Sequence, residues 1–518
     1  MGINYTSSYL PIEFRHRRIL GPALVLVLAL SLACGSTAPG AAGPYSGPGP
    51  AGPAATATGP EPATPSAPGA AIDRGETRPA ENPPAEPFED SPAPARANLT
   101  GTAILTRPAN FESIAIKVTE ISEQVNVETV AEGLEVPWGL GFTPDGRIFV
   151  TERPGRIRVL QQGTLQEKPF AILEQVVNIS ESGLMGIALH PDFANNHYVF
   201  VCYTYQNRNG ELRNRLARLT DTNNQGTDHQ IIVDEIPGSY NHNGCRIGFG
   251  PDGKLYLTTG DAQDSDRAQD LDSLAGKVLR LEADGSVPAD NPFPGSYVYT
   301  YGHRNPQGIG WHPKTGDLFI TEHGPNRDDE VNLLAPGRNY GWPVVSGRAR
   351  SDEFVPSVMS FTPTIAVAGA AFYTGDQLHP AWEGDLIFAA LKGSQLQRIT
   401  FAPPDFRGVE SSRVMFNQNF GRLRAVAVSP DGYLYFTTSN RDGRGNPRAG
   451  DDKIMRLVPV SQGATSTFHP SRDGSFGLEI SPGTYRIAFE AEGYASQAKR
   501  VIILRNEPLD LGQIALVP

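Results

Sequence analysis

Between Val125 and Val458 the chain is written in short apolar runs, each about five residues long, set off by turns rich in Pro, Asp, Gly and Asn. A turn followed by a strand-like run recurs as TPDGRIFVTE from Thr143, HPDFANNHYVFVCYTY from His190, GPDGKLYLTTGD from Gly250, HPKTGDLFITEHG from His312, HPAWEGDLIFAAL from His379 and SPDGYLYFTTSN from Ser429. In each PDG the proline fixes one backbone dihedral and the glycine accepts a positive one, which makes a tight turn. The units recur at roughly 45 to 70 residues, near the length of one four-stranded propeller blade. Helical periodicity is weak throughout this region. The pattern predicts an all-β fold, a propeller of about six blades; a pair of sandwiches would not need such self-similarity.

The flanks differ. Residues 36–97 are dominated by Pro, Ala and Gly, a composition that cannot bury enough apolar surface to order itself and reads as a disordered or extended tether. Ahead of it, Arg15, Arg17 and Arg18 precede the apolar run ILGPALVLVLALSLA, the arrangement of an export signal. The run ends in SLACGS, where Cys34 stands as in a bacterial lipobox, although Ser31 and Leu32 fit that pattern poorly. The tail from Val460 carries DGSF, PGTY and EGYA turns between alternating strands, as in a small antiparallel sandwich, with its first strand indistinct. The expected organisation is therefore a signal segment at 1–34, a tether at 35–100, a propeller at 101–458 and a small β-sandwich at 459–518. The chain is expected to be exported, to the periplasmic or extracellular face, with three outcomes open: a lipid anchor at Cys34, ordinary secretion, or an uncleaved N-terminal anchor. Cys202 and Cys245 then remain, and their spacing leaves a bridge and two free thiols equally open.

Composition narrows the function. Lys and Arg number 44 against 56 Asp and Glu, a formal net charge of −12, which argues against nucleic-acid binding. Clustered cations are then local exceptions. Lys392 directly follows an apolar strand, Arg304 and Asn305 stand just ahead of another, and Arg422 and Arg424 are two apart, so both emerge on one face of an extended strand. Taken singly each is an ordinary solvated rim residue. Gathered at one channel mouth they would repel one another unless an anionic ligand lay between them. The run Asp328, Asp329, Glu330 after the Gly324-Pro325 turn has the oxygen-rich make-up that calcium takes, or is an exposed acidic turn. His242, between two asparagines in YNHNGCRIGFGPDG, is either a proton acceptor or a loop histidine bonded to its neighbours.

The blocks VPWGLGFTPDG, SGLMGIALHPDF, NHNGCRIGFGPDG, YGHRNPQG, EHGPNRDDEVNLLAPGRNYGWP and PTIAVAG, followed by LRAVAVSPDG, resemble the soluble quinoprotein sugar dehydrogenases, the glucose/sorbosone and aldose sugar dehydrogenase family. The tail resembles carboxypeptidase regulatory-like or PEGA modules. The family resemblance implies a six-bladed propeller that binds pyrroloquinoline quinone (PQQ) and calcium. By position it implies His242 as base, Asp261 as its supporting carboxylate, and Arg304 and Asn305 at the quinone. Lys392, Arg422 and Arg424 would hold the three cofactor carboxylates. Gly324 and Pro325 would offer carbonyls to the cofactor calcium, and Asp329, Glu330 and Tyr340 would form part of a structural calcium site. Departures from the family pattern are Glu181, which replaces a glutamine near the cofactor, Asn241 for an aspartate, and Thr362 for an aromatic.

The implied reaction is oxidation of an aldose mono- or oligosaccharide at the anomeric carbon to a lactone. His242 takes the hydroxyl proton, hydride passes to the quinone, and Arg304 and calcium stabilise the charge that develops. No CxxCH haem motif is present, so electrons pass to an external acceptor. Two other readings stay open: a propeller that binds a glycan or protein without chemistry, and a calcium-dependent lactonase that needs no cofactor.

Overall fold

The computed structural model describes residues 97–105, 111–349, 351–461, 465–481, 483–503 and 508–517. The expected signal segment, Cys34 and nearly all of the tether lie outside the described residues. Within them the regular structure is almost all strand, with one short helix at Phe193–Asn196 and three 3-10 turns. No helix among the described residues is long and apolar enough to cross a membrane.

Six antiparallel sheets follow one another along the chain, each built mainly from neighbouring strands in sequence order. The first starts with Pro137–Phe142, the second with Leu184–Leu189, the third with Ile247–Phe249, the fourth with Pro306–Trp311, the fifth with Val367–Phe372 and the sixth with Leu423–Val428. Each starting strand packs against the next sheet's starting strand, and the sixth packs against the first, so the strands close a ring, the arrangement of a β-propeller. The sixth sheet takes its outer strand from the other end of the chain. Val125 pairs with Pro459 and Ala131 with Ile454, which latches the beginning of the ring to its end.

Every recurring PDG makes the turn its composition predicts. Gly146, Gly253 and Gly432 have φ of +84°, +74° and +85°, a region open to glycine at no steric cost. The second strand of each sheet is fully or almost fully buried, which is why the runs IFVTE, LYLTT, LFITE, LIFAA and LYFTT carry no alternation. Their threonines serve a purpose that hydropathy does not show. Thr151 donates to the Met185 carbonyl (2.6 Å), Thr258 to Pro306 (2.8 Å), Thr321 to Ala368 (2.6 Å) and Thr437 to Pro137 (2.9 Å), each on the starting strand of the next sheet. The second sheet is joined to the third by a covalent bond instead, Cys202 to Cys245, with Cα atoms 5.5 Å apart.

The organisation differs from expectation at both domain edges. Ala97–Leu105, assigned to the tether and propeller by sequence, pairs antiparallel with Ser475–Ile480 and parallel with Leu509–Leu516. The strand Ala115–Ala131 is shared: its first residues pair with Gly483–Glu490 and its later ones with the sixth sheet. Leu99, Ile116, Phe476, Ile487, Phe489 and Leu516 close one core between these sheets. The strand that seemed missing from the tail is thus supplied from upstream, and alternation in NLTGTAIL was masked by the Pro-rich segment beside it.

Candidate functional site

His242 lies in the loop between the second and third sheets, and one glycine brings its partner to it. A Cβ on Gly260 would sit 2.0 Å from the His242 carbonyl oxygen, so only glycine lets the end of the third sheet's second strand approach the loop. Asp261 follows immediately. Its carboxylate, 2 % exposed, meets His242 Nδ1 at 2.8 Å. It also accepts from Trp342 Nε1 at 2.9 Å and from the Gln263 backbone N–H at 2.8 Å. An ionised carboxylate only accepts, so His242 carries its proton on Nδ1 and keeps the Nε2 lone pair for another proton. The His242 ring is about one-fifth exposed, enough to meet a small substrate.

Glu181 joins this dyad to its neighbours. Oε2 accepts from the His242 backbone N–H (3.2 Å) and from Asn305 Nδ2 (3.3 Å), while Oε1 accepts from Arg444 Nη1 (2.8 Å). Burial opposes its ionisation, but His323, Arg444 and the His242 N–H outweigh that and hold the carboxyl at about 2. Asn305 accepts in turn from the Gly244 N–H at 3.1 Å, so its amide braces the His242 loop. Arg304 lies 5.3 Å from the Trp342 ring centroid and donates to the carbonyls of His323 (3.2 Å) and Gly324 (3.0 Å). Among the described residues its buried Nε has no partner, and neither has Nε2 of His323.

Beside Glu181 opens a cavity lined by Arg153, Arg422, Arg424 and Arg444 and by a second carboxylate, Asp442. Arg422 Nε donates to Asp442 at 2.7 Å, and Arg424 Nη2 reaches the same oxygen at 4.0 Å, so the two arginines do share a face. Arg424 also donates to Gln307 Oε1 at 3.0 Å. Burial pushes its guanidinium down to about 10, with Asp442 opposing and Arg153 and Arg422 adding to the shift. The cations expected to repel one another are thus partly matched by the protein's own carboxylates. Lys392 stays outside the buried group; it is exposed and donates to Thr364 Oγ1 at 3.2 Å, one residue from Leu391 on the cavity wall.

The acidic run divides. Asp329 and Glu330 are neighbours in the strand Asp329–Leu334 and point to opposite faces. Asp329 accepts from the backbone N–H groups of Gly324 (2.9 Å), Ile365 (2.7 Å) and Ala366 (2.5 Å), and so clips two loops together. The Tyr340 hydroxyl is committed as well, donating to the Leu333 carbonyl at 2.8 Å and accepting from Ala335 at 2.9 Å. The structure thus parts Asp329 from Glu330, while Tyr340 lines the same small pocket as Glu330. Glu330 is different: burial, with Glu322 nearby, pushes its carboxyl up to about 8. Asn332, two residues on and so on the same face, donates to it at 2.9 Å and has a buried Oδ1 without a donor. Both are hard oxygen donors, and Glu330 lines the same small pocket as Gly324 and Pro325. Among the described residues no group of three or more His, Cys, Asp or Glu side chains is placed to hold a metal.

Sequence reasoning missed Trp342, Arg153, His323, Asp442 and Arg444. A signal existed for three of them. Asp261 and Lys392 stand just past the second strand of their repeats, and so do Arg153 in TERP, His323 in TEHG and Asp442 in TTSNRD.

Known proteins share this architecture. An aldose sugar dehydrogenase of Escherichia coli is 32% identical over 342 residues, covering 62% of this chain and 91% of its own. A quinoprotein glucose dehydrogenase B of Acinetobacter calcoaceticus is 30% identical over 431 residues, covering 65% and 89%. The PQQ-bound form of an aldose sugar dehydrogenase from Streptomyces coelicolor superposes with a TM-score of 0.59 at 35% identity, over 66% of this chain and 100% of that one. With the ring of sheets and the His–Asp dyad, these likenesses define a sugar-oxidising β-propeller dehydrogenase. The profile of the Glucose / Sorbosone dehydrogenase family matches residues 134–455, and the chain belongs to that family.

Proposed function

We propose that the protein oxidises aldose sugars at the anomeric carbon to lactones, using PQQ and calcium and passing electrons to an external acceptor. The six sheets are read as six blades, and the C-terminal strands with Ala97–Leu105 as an accessory sandwich. One observation carries the reading: the His242–Asp261 dyad is joined through Glu181 to a cavity where four guanidiniums face two carboxylates. The charge of such a cavity suits a carboxylate-rich cofactor, and His323, whose buried Nε2 has no partner among the described residues, lines it as well.

In this reading Arg422 and Arg424, with Lys392 at the rim, would hold the cofactor carboxylates, and Arg304 and Asn305 would serve its quinone. The Gly324 and Pro325 carbonyls would offer oxygens to its calcium, and Glu330 with Asn332 would suit a second cation. The bound quinone supplies the hydride acceptor. His242 Nε2 takes the proton from the sugar's anomeric hydroxyl as hydride leaves that carbon. Asp261 keeps the ring in the tautomer that does this and stabilises the imidazolium that results, while Trp342 and Gln263 keep the carboxylate from turning. Arg304, beside Trp342, would stabilise negative charge developing on the hydride acceptor.

The disulfide and the N-terminal segment at 1–34 support export to an oxidising compartment, with Cys34 as the anchor. The test is reconstitution with PQQ and calcium, followed by reduction of an artificial dye across mono- and disaccharide aldoses. Turnover that needs both additions is expected. A protein that takes up no PQQ, or that hydrolyses lactones without it, would overturn the reading.

A further inference from the structure

Arg444 stands between Gly443, with φ of +88°, and Gly445, at the tip of a loop of the sixth sheet. Its side chain is about half exposed, yet it makes contacts across most of the ring's sequence. Nη1 donates to Glu181 Oε1 at 2.8 Å, and Nη2 to Ser180 Oγ at 3.4 Å and Asn241 Oδ1 at 3.2 Å. Ser180 and Glu181 precede the second sheet, and Asn241 precedes His242 in the loop between the second and third. The base of the tip is fixed too. The Arg444 backbone N–H donates to Asp442 Oδ1 at 2.9 Å, and the other oxygen of that carboxylate binds Arg422.

The loop it reaches is under strain. His242 has φ of +60°, a conformation uncommon for any residue but glycine. It is held there by Glu181 on its N–H and by the Ala262 N–H on its carbonyl, at 3.1 Å. Strained residues persist where their surroundings over-determine them, and Arg444 is what fixes the Glu181 carboxylate and the Asn241 side chain at once.

We propose that Arg444 is a positioning residue: it clamps the His242 loop through Glu181, Ser180 and Asn241, and ties that loop to the arginine cradle through Asp442. The connection Arg422, Asp442, Arg444, Glu181, His242 runs unbroken from the proposed cofactor carboxylates to the proposed base. The kinetic part of this proposal rests on the dehydrogenase reading; the structural part does not.

The test uses the full chain with Arg444→Ala, Arg444→Lys, Glu181→Gln and the Arg444→Ala, Glu181→Gln pair. Hydrogen exchange of the Asn241–Gly244 amides, measured without cofactor, should quicken about 10-fold or more in Arg444→Ala and less in Arg444→Lys, which keeps the charge but not the fork. Amides in the fourth sheet serve as the control for global loosening. After PQQ and calcium loading, Arg444→Ala should lower kcat about 10-fold to 100-fold with little change in the sugar KM, because it displaces a base and leaves sugar contacts intact. The paired variant should be no worse than its more damaged parent, since both changes break one linkage. Unchanged exchange at Asn241–Gly244 in Arg444→Ala, or losses that multiply in the pair, would overturn the clamp. A wild-type protein without turnover would end the dehydrogenase reading, while the exchange comparison would still decide the clamp.

Discussion

Asp261→Asn is the sharpest probe of the dyad because the volume is kept and only the hydrogen-bond pattern changes. The native carboxylate accepts from His242 Nδ1 and the Gln263 N–H on one oxygen and from Trp342 Nε1 on the other. Asparagine must place an NH2 at one of these positions. At the Oδ2 position it would face the Trp342 N–H, donor against donor, in a buried setting that costs about 1–3 kcal/mol. At the Oδ1 position it would confront the Gln263 N–H and donate to His242 Nδ1, which moves the ring proton to Nε2 and removes the base. Either orientation also removes the negative charge that stabilises the imidazolium. By analogy with other His–Asp pairs, kcat should fall about 10²–10⁴-fold, while PQQ loading, which does not use Asp261, stays near wild type. The assay is dye reduction at saturating aldose after reconstitution, with bound PQQ measured on the same sample. A variant that loads normally and keeps kcat within about threefold would refute the role of Asp261 in setting the tautomer.

Three further outcomes are expected. Arg422→Ala with Arg424→Ala removes two charge-assisted contacts of about 1.5–3 kcal/mol each, so PQQ should bind at least about 100-fold more weakly by equilibrium dialysis. Lys277, fully buried, donates to the carbonyls of Arg267 (2.7 Å), Ala268 (3.2 Å) and Ala275 (2.6 Å); Lys277→Met leaves all three without it and should lower Tm by about 6–12 °C, read by calorimetry. A chain of residues 97–461 exposes Leu99, Ile114, Ile116 and Val118, apolar groups worth about 1.5–3 kcal/mol each when buried, and should aggregate. A chain of residues 122–461 keeps the Val125–Ala131 latch and should stay monomeric on gel filtration.

The repeat was legible because each turn and the strand after it are local in sequence: PDG imposes the turn, and a five-residue apolar run fits a strand buried on both faces. What the runs could not show is how the sheets are joined. The threonines in TE, TT and TE look like strand formers, yet their hydroxyls bind the next sheet, a pairing fixed only once the ring closes. The same holds for Cys202 and Cys245, whose separation of 43 residues says nothing about distance until two sheets are side by side. At the site, the dyad was legible from the family resemblance, and the structure brings His242 and Asp261 together at 2.8 Å. How the acidic run divides was not, because strand alternation turns Asp329 away from Glu330, and that alternation is visible only when the strand is known to begin at Asp329.

Charge explains why these residues belong to one site and not to several. In a chain of net charge −12, random placement would surround an arginine cluster with acids. Here Asp442 is shared between Arg422 and Arg424, and Glu181 binds Arg444. Among the described residues the Arg153 side chain donates to neutral acceptors, Asn178 Oδ1 and the Asp442 carbonyl, and burial pushes its guanidinium down. Four guanidiniums against two carboxylates leave positive charge in excess in a desolvated cavity, which costs free energy. An anion of more than one charge, as the proposed cofactor is, would complete the arrangement, and Glu181 ties the His242 loop to the wall of that cavity.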